Sequence, residues 1–346
     1  ARCETALAEA EVEYENHSSP SIYVKFKLTP SSSPAFQLSS FIVWTTTPWT
    51  LLSNVAIAVH PNLDYVLFKT AQGEIFILAQ DLLDSLADKA GLKGEAIKKI
   101  KGSQLEGAVT MHPFLGRESK VVLAEFVSKE EGTGCVHIAP GHGQEDYEVG
   151  LKYHLPIVMP LDDKGRFVKL KDYEIPDDIV GKNISEANDI VLRILRAQKT
   201  LLLAGETEHS YPHCWRCHEP LIFRATKQWF MDVDRNALRS KTLEEIKKIK
   251  WVPSVGEKRI SSMIELRPDW CLSRQRYWGV PIPVLYCAAC DAEIIDKRIM
   301  EKIEKIFGET GSDSWFLKDP ASFVPDNFSC PKCGSGSFKK ETDILD

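Results

Sequence analysis

The stretch Trp44-Thr45-Thr46-Thr47-Pro48-Trp49-Thr50 sets three successive hydroxyls at the end of an apolar run, Phe41-Ile42-Val43. Alternate residues of a strand face opposite sides, so Thr45 and Thr47 share a face and Thr46 takes the other. Pro48 cannot donate to a sheet ladder and should end the strand. Backbone N–H and C=O groups come free there, beside hydroxyls and between two indoles. Such a set can hold a polar ligand and orient a water molecule. Thr also favours sheets, so a Thr-rich strand end is the plain alternative. His137 and Asp146 lie nine residues apart, joined by a loop rich in Gly and Pro. That loop can fold back and bring both side chains into one pocket. The carboxylate would pair with a cation such as an α-ammonium. The imidazole would wall the pocket or hydrogen-bond to a substrate. A strand histidine satisfied by backbone and a helix cap are the plain alternatives.

Cysteines form the second chemical group. There are nine, six of them in three C-x-x-C pairs, a pattern that fits metal binding better than a disulfide framework. Cys287, Cys290, Cys330 and Cys333 offer four thiolates, which suit a tetrahedral structural zinc and leave no open position for catalysis. Cys214 and Cys217 need further ligands. Cys3 is the expected third, as the survivor of an N-terminal pair, and His213 or His218 could substitute. Cys135 and Cys271 read as packed thiols. Thiolate zinc sites fit a reducing cytoplasm.

The elements that must carry these groups are legible in outline. Ile22–Leu28, between Pro20 and Pro30, reads as a strand, followed by a Ser-rich loop and the threonine strand. Val55–Val59 is a short strand, and Tyr65–Lys69 with Glu74–Leu78 a hairpin around Gly73. Asp81–Ala90 reads as a helix stopped by Gly91. Lys98-Lys99-Ile100-Lys101 reads as a solvated edge. Ser119–Val127 is a strand candidate, and Cys135–Ala139 closes on the glycine loop. Acidic residues at 145 and 146 suit a helix start. Ser185 is the expected cap of a helix running to about Lys199. Further helices are expected at Leu238–Lys250 and Gly256–Leu266.

At 346 residues the chain has room for two or three domains, and 43% hydrophobic residues is ordinary for a globular protein. No apolar run approaches membrane-spanning length. A net charge of -6 argues against a strong sequence-independent nucleic-acid binder, so any RNA contact rests on local basic patches. The ends, Ala1-Arg2-Cys3 and Thr342–Asp346, suggest a piece of a longer enzyme.

The threonine stretch resembles the threonine-rich motif of the editing domain, connective peptide one, in isoleucyl-tRNA synthetases of class I. The valyl and leucyl groups carry Thr-Thr-Arg-Pro there. Gly132–Tyr147 resembles Gly-Thr-Gly-Ala-Val-His-Thr-Ala-Pro-Gly-His-Gly-x-Asp-Asp-Tyr of the same family. Here Cys135, Ile138 and Glu145 replace Ala, Thr and Asp, and Leu51-Leu52-Ser53 stands where Leu-Pro-Ala is usual. Trp270–Gly279 is similar to the Ser-Arg-Gln-Arg-x-Trp-Gly segment of the catalytic core, where Trp278 would lie near the amino-acid pocket. His-Ile-Gly-His and Lys-Met-Ser-Lys-Ser signatures do not occur in this sequence. No aminoacylation is therefore expected from this piece, and ATP with Mg2+ belongs to the full-length parent.

The resemblance implies an α+β fold: a β-rich, barrel-like editing domain inserted in a Rossmann core, with small zinc-knuckle or ribbon segments. It implies a stem at 1–37 and 205–250, the editing domain at 38–204, a core segment at 251–283 and a zinc-bearing insertion at 284–346. The implied reaction is hydrolysis of valyl-tRNA(Ile), with valyl-adenylate a further possible substrate. One methylene separates valine from isoleucine and gives about 1–3 kcal/mol of discrimination, a figure for which the isoleucyl enzyme is itself the standard illustration. A pocket that admits only the smaller residue would sort them by exclusion. By resemblance Thr47, Trp49 and His137 form its wall and Asp146 holds the substrate ammonium. The ester carbonyl then lies against Thr45 and Thr46. No base adjacent in sequence activates a threonine, so positioning and electrostatic stabilisation carry the chemistry. The implied partners are the 3′ end of tRNA(Ile) and the rest of the synthetase, in a cytoplasmic monomer. A non-catalytic, zinc-stabilised tRNA-binding module is the alternative, and a zinc hydrolase a weaker third.

Overall fold

A computed structural model of the chain describes residues 3, 7, 11–29, 39–275 and 279–345. Two units divide it, Ala1–Ala225 and Thr226–Asp346. The first unit runs β1 (Val12–Lys27), β2 (Ser39–Thr45), β3 (Ala56–Val59), β4 (Asp64–Thr70), β5 (Ile75–Ala79), α1 (Leu83–Ala90) and β6 (Gly94–Lys101). It continues with β7 (Val109–Met111), β8 (Glu118–Leu123), β9 (Cys135–Ile138), α2 (Gln144–Lys152), α3 (Ile184–Ala197) and β10 (Leu201–Cys214).

These strands build a six-stranded sheet, β10-β1-β2-β5-β4-β6, and a four-stranded sheet, β7-β8-β3-β9. The expected α+β, β-rich class holds, but the barrel-like closure does not: among the described residues both sheets are open. At one edge, β6 carries solvent-facing lysines, and Lys99 and Lys101 pair with Asp64 at 3.0 and 2.8 Å. A charged edge of this kind resists further pairing. At the other, β1 and β10 run on together from Ser21 to Val12 as a two-stranded ribbon. Pro20 was expected to bound the first strand. Instead it lies inside β1, where β2 has not yet joined and β10 is the sole partner, so the missing donor can face the open edge.

Alternation along β2 sets both cores. Phe41 and Val43 face the main core with Ile57, Val59 and Val121 of the second sheet and Val191 and Leu195 of α3. Ile42 faces the opposite side with Phe68, Leu78 and Leu86 of α1. Phe41, Ile42 and Val43 are all fully buried, and such burial contributes about 1.5–3 kcal/mol per side chain. The strand is therefore held on both faces, and its C-terminal end has a fixed position. Asn183, not Ser185, caps α3: its side chain accepts from the Glu186 N–H at 3.0 Å, and Glu186 reaches back to the Asn183 N–H at 3.1 Å. The capping box wins because it satisfies two end donors at once.

The second unit contains β11 (Phe230–Met231), α4 (Leu238–Lys248), α5 (Val255–Leu266), β12 (Trp270–Cys271), β13 (Ser273–Arg274), β14 (Val280–Pro281) and β15 (Leu285–Cys287). It ends with β16 (Glu293–Ile294), α6 (Lys297–Thr310), α7 (Ser314–Leu317), β17 (Phe338–Lys340) and β18 (Ile344–Leu345). Its main core joins Leu285, Ile299, Ile303, Trp315 and Phe323 around the sheet β16-β15-β17. Trp278 lies outside the described residues. No helix among the described residues is long and apolar enough to cross a membrane.

Candidate active site

A cleft of about 250 Å3 opens where β2 ends and β9 passes beside it, lined by Trp44, Thr45, Thr46, Thr47, Thr50, Val136, His137, Ala139, His142 and Asp146. Three elements bring these together. The chain leaves β2 at Thr45 and winds into a 3-10 turn, Pro48–Ser53, with Pro48 at its first position, where no N–H is needed. The antiparallel partner β9 sets His137 opposite Ile57 of β3. Beyond it the glycine loop turns the chain into α2, which carries Asp146 in its first turn.

Close approach explains two glycines here. Gly134 has φ +72°, and a Cβ on it would lie 2.4 Å from the Cβ of Ala79. Gly132 has φ +75°, and its Cβ would lie 2.8 Å from the indole of Trp44. That indole is pinned by its N–H donating to Ser21 Oγ at 2.9 Å.

The hydroxyls form a network centred on Thr50. Its Oγ1 donates to the Thr47 carbonyl at 2.8 Å and lies 3.0 Å from both Thr47 Oγ1 and His137 Nε2. The Thr47 N–H donates to Thr45 Oγ1 at 3.1 Å, and those two hydroxyls are 3.3 Å apart. Since Thr50 gives its one proton to a carbonyl, the network makes His137 Nε2 the donor toward Thr50. Nδ1 of His137 is then a bare lone pair, buried and without a partner among the described residues. Burial, helped by His142, lowers the His137 pKa to about 4. The imidazole is neutral at physiological pH and points a donor, not a base, at the threonines. The Thr46 hydroxyl has no hydrogen-bond partner among the described residues.

Asp146 faces this network. One of its oxygens, Oδ2, accepts from the Ala139 N–H at 2.8 Å. Burial raises its pKa to about 6, the Ala139 N–H pulls it back, and Glu145 adds to the rise. A half-buried carboxylate with no cation beside it among the described residues is poised to take one, because a positive partner would restore its ordinary acidity. The cleft therefore has a neutral hydroxyl side and an anionic side. Trp49 is not among the lining residues. It is 5% exposed and stands behind the wall, edge-on to His142 with ring centroids 4.7 Å apart and to Phe167 at 6.3 Å.

The three C-x-x-C pairs adopt one turn. In each, the N–H four residues after the first cysteine donates to that cysteine's carbonyl: His218 to Cys214 at 2.8 Å, Asp291 to Cys287 at 2.9 Å, Gly334 to Cys330 at 2.8 Å. In each, the first cysteine's N–H reaches the carbonyl five residues on: Glu219 at 3.0 Å, Ala292 at 2.9 Å, Ser335 at 2.8 Å. His218, Asp291 and Gly334 all have positive φ. The turn aims both sulfurs inward. Cys287, Cys290, Cys330 and Cys333 place all their Sγ atoms within 4.8 Å of one another, as do Cys3, Cys214 and Cys217. Four converging sulfurs fit a thiolate-bound metal such as zinc. The suggested histidine substitutes do not join the second set. His213 Nδ1 donates to the Tyr211 carbonyl at 2.8 Å, and His218 Nδ1 pairs with Glu15 at 2.9 Å.

The family model for tRNA synthetases of class I (I, L, M and V) matches residues 1–346. The chain belongs to the class I tRNA synthetases. Among its curated relatives are isoleucine--tRNA ligases of Fervidobacterium nodosum, 49% identical over 345 residues, and Moorella thermoacetica, 50% identical over 347. These matches cover 99% of this chain and 36% of each relative. That of Thermotoga maritima is 49% identical over 348 residues, covering 100% of this chain and 37% of the relative. The chain thus spans about a third of the length of these relatives. A solved structure, "The crystal structure of GlLeuRS-CP1", overlaps 54% of this chain and 99% of its own at TM-score 0.44 and 15% identity.

In this class I synthetase chain, Thr45, Thr46, Thr47, His137 and Asp146 meet in one cleft, as their types and spacing suggest. Sequence reasoning did not single out Thr50 or His142 as lining residues. Thr50 lies three residues past Thr47, the spacing at which a helical turn brings side chains back to one face, so the Pro48 helix start was its available signal. His142 looked like a loop residue, and its partners lie far along the chain.

Proposed function

We propose that this cleft hydrolyses mischarged aminoacyl-tRNA, valine esterified to tRNA(Ile), as the editing domain of a parent enzyme that joins isoleucine to tRNA(Ile) with ATP and Mg2+. The observation that carries this reading is the convergence of Thr45, Thr46, Thr47, His137 and Asp146 on one cleft. The Asp146 carboxylate takes the substrate's α-ammonium. The ester carbonyl then lies against the strand end, where the free Thr46 hydroxyl and backbone groups orient water and the terminal adenosine. A water oxygen adds to the carbonyl carbon, the ester C–O bond breaks, and free valine and a terminal hydroxyl on the tRNA result. The Thr45 and Thr46 hydroxyls supply neutral hydrogen bonds to the developing oxyanion. Thr47 and His137 bound the space open to the aliphatic group, with Trp49 backing them.

The cysteine sets have a structural part in this reading. Cys287, Cys290, Cys330 and Cys333 would hold zinc, and Cys3, Cys214 and Cys217 would hold a second ion with one further ligand. Bound zinc supplies a cross-link between chain segments. The stem (1–37 and 205–250), editing domain (38–204), core segment (251–283) and zinc insertion (284–346) are the corresponding domain assignment, in a cytoplasmic monomer.

Deacylation of valyl-tRNA(Ile) and isoleucyl-tRNA(Ile) by the purified protein tests the reading, with Thr46→Ala and Asp146→Ala alongside. Valyl-selective cleavage lost in both variants is the expected result. Tight tRNA binding with no turnover would favour the non-catalytic module instead.

A further inference from the structure

Neither the hydroxyl network nor the carboxylate uses His142, although it lines the same cleft. Its ring is held at both nitrogens. Nδ1 lies 3.0 Å from the Phe223 carbonyl oxygen, which can only accept, so Nδ1 carries the proton. Nε2 must then accept, and the Ser53 hydroxyl donates to it at 2.8 Å. Burial lowers the His142 pKa to about 4, against the pull of the Phe223 carbonyl and with the push of Arg224. One donor and one acceptor therefore persist through neutral pH. With both nitrogens engaged, the ring has no proton to exchange with a ligand.

Its partners belong to two segments far apart in the sequence. Ser53 ends the 3-10 turn that contains Thr50, and Trp49 of that turn packs edge-on against the ring. Phe223 lies in the segment after β10, whose Ala225 N–H also donates to the Gly141 carbonyl at 2.7 Å. The His142 N–H closes a turn onto the Ala139 carbonyl at 2.8 Å, and the Ala139 N–H is the donor that holds Asp146. We infer that His142 is a positioning residue, which ties the hydroxyl side of the cleft to the carboxylate side and so fixes the reach from Asp146 to Thr45–Thr47. The inference rests on the hydrolase reading for its substrate but not for its geometry. A ligand anchored by its ammonium meets the threonines at the correct distance only while that tie holds.

The test compares wild type with His142→Ala, His142→Gln and Ser53→Ala. For valyl-tRNA(Ile) deacylation, His142→Ala should lower kcat/KM about 10-fold or more, chiefly through KM, because misplacing an anchored substrate weakens its productive binding. Ser53→Ala should lower it by a smaller factor, and the double variant should be no worse than His142→Ala, since the two share one interaction. His142→Gln, which can again accept from Ser53, should recover part of the loss. A second readout needs no turnover: carboxyl NMR titration of Asp146 should follow a value near 6 in wild type and fall toward 3.8 in His142→Ala as the loop loosens. Unchanged KM and an unchanged Asp146 titration in folded His142→Ala would overturn the inference. If that variant does not fold, the same two readouts on Ser53→Ala decide. Wild type that cleaves no ester sinks the hydrolase reading, while the NMR comparison still rules on the tie.

Discussion

Replacing Asp146 by Asn should make the first unit more stable while abolishing the proposed ester cleavage. The carboxyl has its pKa raised from 3.8 to about 6, chiefly by burial. Between those values the folded state binds the proton more tightly than the unfolded chain. Stability therefore falls as pH rises from about 4 to 6 and stays low above that. At about 1.4 kcal/mol per tenfold change, the ionised group costs about 3 kcal/mol at pH 7, and its partial solvent contact trims this to about 2. Asn keeps an oxygen to accept from the Ala139 N–H and carries no charge to desolvate. For a unit of this size, about 2 kcal/mol corresponds to a rise in Tm of about 4–8 °C. Thermal melts of wild type and Asp146→Asn at pH 7 and pH 4 read this directly, with valyl-tRNA(Ile) deacylation run in parallel. The gap should be open at pH 7 and nearly closed at pH 4, and the variant should lose cleavage. A variant equal to or weaker than wild type at pH 7, or a gap that ignores pH, would refute the claim that Asp146 is held at a cost to folding.

Thr50→Val keeps the shape of a buried side chain and the backbone bond from its N–H to the Thr47 carbonyl, but it takes from His137 Nε2 its partner at 3.0 Å; a loss of about 1–3 kcal/mol in urea unfolding is expected. Gly134→Ala should destabilise by more than Gly107→Ala, about 2 kcal/mol or more against about 1, because both have positive φ but only Gly134 faces a neighbour. A strong zinc chelator, or Cys330→Ser, should melt the near-ultraviolet signal of the second unit, whose small core contains Cys287 and Cys330, and elemental analysis should show the matching loss of zinc.

What was legible in the sequence was whatever short-range chemistry controls. The threonine strand, the hairpin of β4 and β5, the Gly91 helix stop and the cysteine spacing are set by residues within a few positions of one another. Gly91 has φ +61° and its N–H caps α1, as a helix-ending glycine should. What stayed hidden depends on partners distant in sequence. The parallel pairing of β2 with β5 and of β3 with β8 leaves no local mark. Nor does the ribbon of β1 and β10, which overrides Pro20 because that side of β1 is open. His142 belongs with these, since Phe223 lies 81 residues away and Ser53 lies 89. The knuckle turns stand between the two cases. Cysteine spacing announced them, but of the three left-handed residues that close them only Gly334 adopts that conformation without a steric cost.

Burial alone does not mark the cleft, and His112 shows why. It is 4% exposed against 6% for His137, and burial lowers its pKa even further, to about 3. Yet every polar atom of His112 is matched: Nε2 donates to the Leu51 carbonyl at 2.8 Å, and Nδ1 accepts from the N–H groups of Phe114 and Leu115 at 3.3 and 3.0 Å. That ring is a finished piece of core. His137 has a bare Nδ1 buried behind the cleft wall, while Thr46 has an unused hydroxyl and Asp146 a carboxylate with no cation among the described residues, both lining the cleft. Unmet polar demand in a folded chain is destabilising, and it persists where function requires it. An amino-acid ester answers the demand at the cleft surface, with an ammonium for the Asp146 carboxylate and a polar carbonyl for the Thr46 hydroxyl. The contrast between two equally buried histidines is thus the physical ground for separating a site from a core.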